Sequence, residues 1–505
     1  MTETLDQNET TRDRGRAADP GPDSGPDSST ANPSARMDSR AKLVLLVLCA
    51  ANFLVGIDFS ILNIALPAIG ADLHLGEANL QWVATAFALP SGGLLLLLGR
   101  TGDLVGRRRV FLAGIALFTA ASLLTMLAWD PASLLAGRAL QGLGAAGVVP
   151  TGMALLTTSF AEGHARDRAL GIAGSLMATG FTVGTLLGGV LTDLLNWRFT
   201  MVLPLVLGVF VLIATPLLIA ESRNEHHSRL DVPGAVTVTG GLLSLIYALT
   251  TAAQEGWSRP NVLSTLIVGV GLLAAFFAVE ARSAHPLVSL RVLRRRTVAL
   301  GNAGGLLAFA TASASVFIGM LFLQQVNGLS PLRAGLVFGW LGAVAATSGS
   351  LASRTIGRYG SRTVLVLGLF VQGVGLALMA TATRADSVLV LLLAGTVCYF
   401  GHMHAVVSYN VTATSGLPDR EQGLATGLAT TTQQVALTVG IPIMSAVAST
   451  RQGGLLRSGH SAADALVGGF HLAMWVDAAI ALVGTALLAA GLLRRGGERT
   501  GRNRA

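Results

Sequence analysis

Long apolar stretches separated by short polar segments run along nearly the whole chain. One helical crossing of a bilayer needs about 20 apolar residues. Only helices and closed barrels satisfy backbone polar groups in lipid, and a barrel would show short alternating segments. The pattern therefore predicts an all-α membrane protein with 14 transmembrane helices. The predicted segments are 43–68, 80–98, 110–128, 132–156, 170–192, 199–220, 232–252, 262–280, 298–324, 333–352, 363–382, 386–412, 424–450 and 470–493.

The basic residues lie unevenly on the two sides of these segments. With the N-terminus placed in the cytoplasm, 28 of the 35 lysines and arginines fall in inner regions and 6 in outer loops. The positive-inside rule demands such a bias. The remaining one, Arg138, lies inside a segment. We therefore expect a plasma-membrane protein with an even number of segments and both termini in the cytoplasm.

Composition supports an integral membrane protein and excludes other classes. Hydrophobic residues make up 52% of the chain and charged residues 12%, and the mean hydropathy is +0.62. A soluble domain carries about 25% charged residues. The net charge of +8 is spread over membrane loops, so we expect the lipid bilayer and no nucleic acid as a partner. Cys49 and Cys398 fall in apolar runs, where two buried hydrophobic side chains are expected rather than a disulfide.

A short internal repeat predicts the domain organisation. SRTIGRYGSRTVLVLG at 353–368 aligns with GRTGDLVGRRRVFLAG at 99–114 at an offset of 254 residues, with a few identical positions and with Gly357 in place of Asp103. Its position after the second helix of a later block predicts two parallel six-helix halves, 43–220 and 298–493. Transporters with this layout bind substrate near the midplane between the halves. The other predicted regions are a disordered cytoplasmic tail at 1–42, an inserted helix pair with its linkers at 221–297, and a basic cytoplasmic tail at 494–505.

Two ionisable side chains inside apolar segments are the main candidates for chemistry. Asp58 lies about two-thirds of the way across the first segment, where an ionised carboxylate is costly and asks for a function or a partner. The alternative is a carboxyl that stays hydrogen-bonded to its neighbours and never changes state. Arg138 lies on the same helix face as Gln141, so the two could share a network. The alternative for Arg138 is a side chain that snorkels to the nearby interface.

Glycines and a charged turn are candidates for conformational change. Three glycines of the fifth segment recur every four residues and predict a smooth face for close helix packing. They are Gly180, Gly184 and Gly188. In the turn at 99–110, we expect Asp103 and Arg107 to hold one state closed at the cytoplasmic face. The alternative is a solvated turn that only sets the topology.

His402, His404 and Asp477 are weaker candidates near the end of the chain. The two histidines are about 200° apart around a helix and cannot chelate one metal ion together. A hydrogen bond between helices is the favoured interpretation, with a proton relay as the alternative. Asp477 is a further buried acid. No nucleotide-binding loop, zinc-ligand cluster or catalytic triad occurs in the sequence, so we expect no enzyme activity, metal or cofactor.

Several motifs resemble those of one transporter family. The pattern Gly-x-x-x-Asp-x-x-Gly-Arg-Arg-Arg resembles the signature loop between helices two and three of the major facilitator superfamily. Its positions here include Gly99, Asp103, Gly106 and Arg107. DFSILNIALPAI at 58–69 and RALQGLGAAG at 138–147 resemble motifs of the fourteen-helix drug:proton antiporters in that superfamily. Their segment-five glycine motif is also matched, with Thr185 in place of its proline. The matching residues are Gly171, Gly180, Gly184, Gly188 and Gly189.

The resemblance implies the major facilitator fold, with two six-helix bundles and two inserted helices. It also implies an efflux pump that exchanges protons for lipophilic, often cationic, compounds, and we expect it to act as a monomer. Asp58 would be the proton acceptor or a counter-charge for the substrate, and Arg138 would take part in proton coupling. The candidates for lining the cavity are Asn63, Gln141, His402, His404 and Asp477.

Two alternatives to drug efflux remain open from the sequence. The first keeps the transporter and changes its task to the export of one endogenous metabolite, such as a self-made antibiotic. The second is a membrane receptor or scaffold that does not transport. The intact glycine motif and Asp58 argue against the second alternative.

Overall fold

A computed structural model describes residues 38–160, 164–222, 231–283, 290–417 and 419–492. The described chain is helical and contains no strand. Apart from 38–42, the predicted tails 1–42 and 494–505 lie outside it, and the first helix begins at Ser39. The helices are α1 Ser39–Asp72, α2 Glu77–Gly93, α3 Leu95–Val105, α4 Arg107–Met126, α5 Pro131–Ser159, α6 His164–Leu194, α7 Val202–Leu218, α8 Val232–Glu255, α9 Pro260–Glu280, α10 Leu290–Leu293, α11 Arg296–Leu321, α12 Pro331–Tyr359, α13 Ser361–Met379, α14 Ser387–Thr414, α15 Asp419–Arg457 and α16 Ala462–Leu492.

Two short irregular helices adjoin the long ones. A 3₁₀ helix at Trp197–Met201 leads into α7, and a π-helix at Phe322–Val326 extends α11. Over the described residues, 11 helices are long and apolar enough to cross a membrane, and a bent pair raises the number to 12. The predicted segments 170–192 and 424–450 fall on α6 and α15, which are helical but not among these. The count of 14 therefore stays a prediction.

The second predicted segment and the turn after it differ from expectation. The run 80–98 is not one straight helix, because α2 and α3 meet at an angle of 46° beside Leu94. The segment 99–110, expected to be a turn, is almost entirely helical, since α3 continues to Val105 and α4 begins at Arg107. Only Gly106 breaks the helices, and its φ of +128° is open to glycine but rarely to other residues. One glycine therefore replaces a loop of several residues.

The helices on either side of the inserted pair pack mainly within their own group. α1 packs against α5, α6 and α7, and α4 packs against α5 and α7. After the insertion, α13 packs against α14 and α16, and α11 packs against α14, α15 and α16. The inserted helix α8 contacts both α2 and α15, so it lies along the seam between the two groups.

The two groups share a continuous core near one end. Ile61 and Leu66 of α1 are buried in one cluster with Phe317 and Leu323 from the α11 region and with Phe338 of α12. Helices α6 and α12 also join the groups. We call the end of the bundle that carries Gly106 and Gly360 the basic end, and the end that carries Asp72 and Arg198 the far end. The shared core thus lies toward the far end.

Candidate functional site

A buried ion pair forms the centre of the first helix group. Nη1 of Arg138 donates to Oδ2 of Asp58 over 2.6 Å. The side chains are 2% and 0% exposed. Arg138 therefore does not snorkel to an interface, because its carboxylate partner and helix packing hold it inside the bundle. This geometry agrees with both interpretations of Asp58: a carboxyl that takes part in proton coupling, and a carboxyl that stays hydrogen-bonded to its neighbours and never changes state.

The rest of the Arg138 side chain is also occupied. Its Nε donates to the backbone carbonyl of Val83 over 3.1 Å, and its guanidinium carbon lies 4.6 Å from the centre of the Phe87 ring. Nη1 makes a second hydrogen bond, 2.8 Å long, to Oε1 of Gln141. The network predicted between Arg138 and Gln141 is present. The charge of Arg138 is thus stabilised by a carboxylate, a carbonyl, an amide and an aromatic face.

Gln141 connects the ion pair to a third helix. Its Nε2 donates to Oδ1 of Asp58 over 3.1 Å and to Oγ of Ser122 over 2.9 Å. Thr125 donates to Oε1 of Gln141 over 3.4 Å. With the contacts of Arg138, the network joins α1, α2, α4 and α5. A change of charge at Asp58 would therefore be felt by four helices at once.

The glycine face of α6 packs on the part of α1 that carries Asp58. A Cβ atom added at Gly180 would lie 2.9 Å from the carbonyl oxygen of Phe53, and one at Gly184 would lie 2.8 Å from that of Ile57. The matching distance from Gly188 to the Ile61 carbonyl oxygen is 2.8 Å. These three glycines therefore allow backbone-to-backbone contact with α1, as the spacing predicts.

Two further positions of the glycine motif, Gly189 and Thr185, lie on the same helix, and Gly189 faces α12 instead of α1. Gly189 approaches the backbone of α12, where an added Cβ would lie 2.8 Å from the carbonyl oxygen of Pro331. Thr185 is buried and donates to the carbonyl of Phe181 one turn earlier, over 2.7 Å. Helix α6 continues through Thr185 to Leu194. Hence α6 connects the Asp58 region of α1 to α12 in the other helix group.

The charged segment around Gly106 is held by its own residues and by the chain after α7. Nε of Arg107 donates to Oδ1 of Asp103 over 2.8 Å, and Arg100 lies 3.9 Å from the same carboxylate. The backbone N–H of Arg108 donates to Oε1 of Glu221 over 3.0 Å. Among the described residues, no ion pair joins this segment to the second helix group. The predicted contact between Asp103 and Arg107 is present, while its role as a gate stays a prediction.

The internal repeat is visible as two similar helix junctions. Gly360 lies between α12 and α13 and has a φ of +80°, as Gly106 lies between α3 and α4. A Cβ at Gly106 would lie 2.8 Å from the carboxyl carbon of Glu221, whereas a Cβ at Gly360 would meet nothing within 4 Å. Both junctions have a glycine at positive φ, and of the two only the junction at Gly106 is contacted by a carboxylate, that of Glu221.

The weaker candidates do not join the network around Asp58. His402 contacts the rings of Phe309 and Tyr399 edge-on, and His404 bonds through Nδ1 to the carbonyl of Phe400 over 2.9 Å. Asp477 is buried in α16 at 1% exposure, and its Oδ2 has no partner within the described chain. The described residues contain no group of three side chains suited to holding a metal ion.

Other residues of the site were not predicted from the sequence. Ser122 could have been found as a hydroxyl within an apolar segment, and Glu221 as a lone acid directly after the sixth segment. The Val83 carbonyl and the Phe87 ring carried no such signal, because they lie among apolar residues of α2. Their role depends on how α2 packs against α5.

Comparison with known proteins decides the family. A family model of the Major Facilitator Superfamily matches residues 48–441. The chain belongs to this superfamily. As a member, it is a membrane transporter, and the expected all-α major facilitator fold is confirmed, while the 14 helices and the cytoplasmic side of both termini stay predictions.

Relatives in sequence include antibiotic resistance and export proteins from bacteria of three genera. The puromycin resistance protein pur8 of Streptomyces alboniger is 36% identical over 421 residues, covering 82% of each chain. The cephamycin export protein CmcT of Amycolatopsis lactamdurans is 37% identical over 421 residues, covering 82% of this chain and 87% of the relative. The multidrug resistance protein Stp of Mycobacterium tuberculosis is 31% identical over 395 residues, 78% of this chain and 73% of Stp.

Solved structures show the same fold at lower identity. An auto-inhibited peptide transporter of the POT family aligns with a TM-score of 0.66 at 16% identity, over 90% of this chain and 97% of that chain. A bacterial homologue of the human lysosomal transporter Spinster, in an inward-facing unoccupied conformation, aligns with a TM-score of 0.60 at 17% identity, over 91% of this chain and 98% of that chain. At this identity the similarity concerns the fold alone.

Proposed function

We propose that this transporter exports lipophilic drugs or antibiotics across the plasma membrane in exchange for protons, by alternating access and as a monomer. The observation that carries the proposal is the Asp58–Arg138 pair, buried inside the helix group and bonded to Gln141. Ionisable groups at such depth mark ion pathways and proton relays. Relatives that confer antibiotic resistance support the choice of substrate class.

Protonation of Asp58 would release the first helix from its partners. A neutral carboxyl no longer attracts the Arg138 guanidinium, so the tie between α1 and α5 weakens. α1 can then shift against the glycine face of α6, and α6 contacts α12. A proton that crosses the membrane potential contributes about 2.3 kcal/mol per 100 mV. In this way a proton on one helix group would bias the packing of the other.

The orientation of the proposed cycle follows from the basic residues. The basic end faces the cytoplasm by the positive-inside rule, so the far end faces outside. The contacts between helix groups include a hydrogen bond from Nε2 of Gln324 to the carbonyl of Ile64, 3.0 Å long, and the approach of Gly189 to Pro331. Both lie toward the far end. This arrangement fits a state that takes up substrate from the cytoplasm.

Proton flux in reconstituted vesicles tests the proposal. The protein is placed in vesicles with a pH-sensitive dye and exposed to puromycin, cephamycin, lincomycin and tetracenomycin C. We expect at least one compound to stimulate proton flux, and Asp58→Asn to abolish that flux while the helix content stays normal. Asp193→Asn, an exposed acid at the end of α6, is the matched control and should behave like the wild type. Full coupling in Asp58→Asn would remove Asp58 from the mechanism.

Export of a single antibiotic is the second candidate function. It is favoured by the relatives named for one compound, such as the cephamycin exporter and the tetracenomycin C resistance and export protein of Streptomyces glaucescens. The same vesicle panel separates the two candidates, because a dedicated exporter responds to one chemical class and a drug pump to several. If no compound moves protons or is itself transported, the receptor alternative returns.

A further inference from the structure

A small cavity lies beside the ion pair, between α1, α2 and α5. Its volume is about 10 Å³, which is close to the space that one water molecule requires. Its walls are formed by Phe59, Leu62, Asn63, Val83, Ala84 and Arg138, among others. Most of these walls are apolar, so the few polar atoms in them decide what the cavity can hold.

Two polar groups in the cavity wall remain available for a ligand. Arg138 uses Nε and Nη1 in hydrogen bonds, whereas its Nη2 makes none with the described chain. Asn63 donates through Nδ2 to the carbonyl of Phe59 over 2.9 Å, and its Oδ1 accepts no hydrogen bond from the described residues. Arg138 is buried, with only 2% of its surface exposed. The cavity thus offers donors at Nη2 and an acceptor at Oδ1, which match a water molecule.

The cavity lies on the far-end side of Asp58. Asn63 follows Asp58 by five residues along α1, which is about 7.5 Å along a helix axis. Asp58 itself is 0% exposed, so a proton from the far end needs a path through the packing. Of the described residues that line this cavity, Asn63 and Arg138 have polar side chains and the others are apolar.

We propose that this cavity binds one ordered water molecule, which delivers the proton from the far end to Asp58. The inference rests on the proposed function. The water accepts a hydrogen bond from Nη2 of Arg138 and donates to Oδ1 of Asn63. When an incoming proton makes it a hydronium ion, the water no longer accepts a hydrogen bond from Nη2, and Nη1 of Arg138 gives up Oδ2 of Asp58 while it keeps Gln141. The freed carboxylate, which is not part of the cavity wall, then turns toward the hydronium and takes one proton at Oδ2, which leaves a water molecule and a neutral carboxyl.

Asn63 acts here as a positioning residue, since it holds the water and does not exchange a proton itself. An amide oxygen accepts a hydrogen bond without titrating, so the water stays oriented over the whole physiological pH range. The apolar walls limit the site to one molecule. A single water with fixed partners allows proton transfer and excludes a wider leak between the two sides of the membrane.

Filling the cavity tests the inference. Ala84→Val adds two carbon atoms to its wall, and Ala86→Val makes the same change two residues later on α2, outside the lining. We expect Ala84→Val to slow substrate-stimulated proton uptake by at least about tenfold, because proton transfer needs a donor within hydrogen-bond reach or one water away. Ala86→Val should retain the wild-type rate, and substrate binding should be unchanged in both. Asn63→Leu gives an independent second variant if Ala84→Val does not fold.

A second measurement, made on the same variants as the proton-uptake rates, detects the bound water directly. Hydroxyl-radical footprinting with mass spectrometry reports bound water through oxidation of the adjacent Phe59 and Leu62 side chains. Oxidation of both should fall in Ala84→Val and stay unchanged in Ala86→Val. A wild-type rate in the cavity-filled variant overturns the inference, and so does a slow rate with unchanged oxidation. If Asp58→Asn retains coupling, the proposed function fails first, which distinguishes the two failures.

Discussion

The carboxylate of Asp58 and the guanidinium of Arg138 lie 2.6 Å apart, although 80 residues separate them in the chain. Both side chains are almost fully buried. Removal of one partner from a buried pair leaves an uncompensated charge, whereas removal of both leaves none. This asymmetry makes the pair testable by its effect on stability, apart from any effect on transport.

Single and double substitutions should therefore differ. Asp58→Asn and Arg138→Gln should each lower the free energy of unfolding by about 3–5 kcal/mol. The double variant should lose clearly less than the sum, since the two side chains contact each other. Urea-induced unfolding in detergent, followed by loss of helical signal, measures all three. Additive losses would show that the contact contributes little.

Substitution of Asp477 should change stability much less than substitution of Asp58. It makes no ion pair within the described chain, and Oδ2 has no hydrogen-bond partner there. A buried carboxylate without a cation is so costly that the neutral acid is favoured. Asp477→Asn therefore exchanges one neutral group for another, and we expect a stability change of about 1 kcal/mol or less. A loss as large as that of Asp58→Asn in the same unfolding assay would contradict this view.

The glycine contact between α6 and α1 predicts a position-specific effect. An added methyl at Gly184 approaches the Ile57 carbonyl oxygen at 2.8 Å, whereas one at Gly271 of α9 meets nothing within 4 Å. Gly184→Ala should lower the free energy of unfolding by about 1–3 kcal/mol and reduce transport. Gly271→Ala should keep wild-type stability and transport, because the added methyl group meets no neighbouring atom. Equal thermal shifts in the two variants would argue against close packing at α6.

The two helix junctions offer a matched pair of variants. Gly106→Ala and Gly360→Ala both place alanine at a positive φ, which costs on the order of 1 kcal/mol or more. Only the first also approaches the carboxyl carbon of Glu221, at 2.8 Å. Gly106→Ala should therefore lower the thermal midpoint more than Gly360→Ala. The difference in thermal midpoint between the two variants should shrink when each is combined with Glu221→Ala. If the difference persists, the contact with Glu221 is not its cause.

The start of α5 predicts a pH dependence. Hydrogen bonds from the side chain and backbone N–H of Ser133 lower the pKa of the Asp130 carboxyl, which caps this helix. A lowered pKa contributes stability above the unfolded-state value of about 3.9, and that contribution is lost as the pH falls through the folded-state value. Asp130→Ala should therefore reduce the thermal midpoint near neutral pH, by an amount that stays constant to about pH 5 and then shrinks. A difference that grows toward acid would reverse the sign of this argument.

The sequence and the structure agree where local rules apply. The apolar runs predicted most helices, because transfer into lipid depends on each stretch by itself. The glycine spacing on α6 predicted a packing face for the same reason, since periodicity is local. The segment 99–110 was expected to be a turn because its arginines end the apolar pattern, but charged residues can also form the ends of membrane helices, as they do in α3 and α4. Only Gly106 had to leave the helix, and no rule about charge could single it out.

The sequence by itself determined the transporter class, the apolar segments and the identity of Asp58 and Arg138 as unusual charges within them. Only the tertiary structure decided that these two charges meet, that Gln141 and Ser122 join them, and that no cation among the described residues pairs with Asp477. The physical reason is that hydropathy sets which residues enter the membrane one helix at a time. Pairing depends on how helices distant in the chain are rotated and packed against one another.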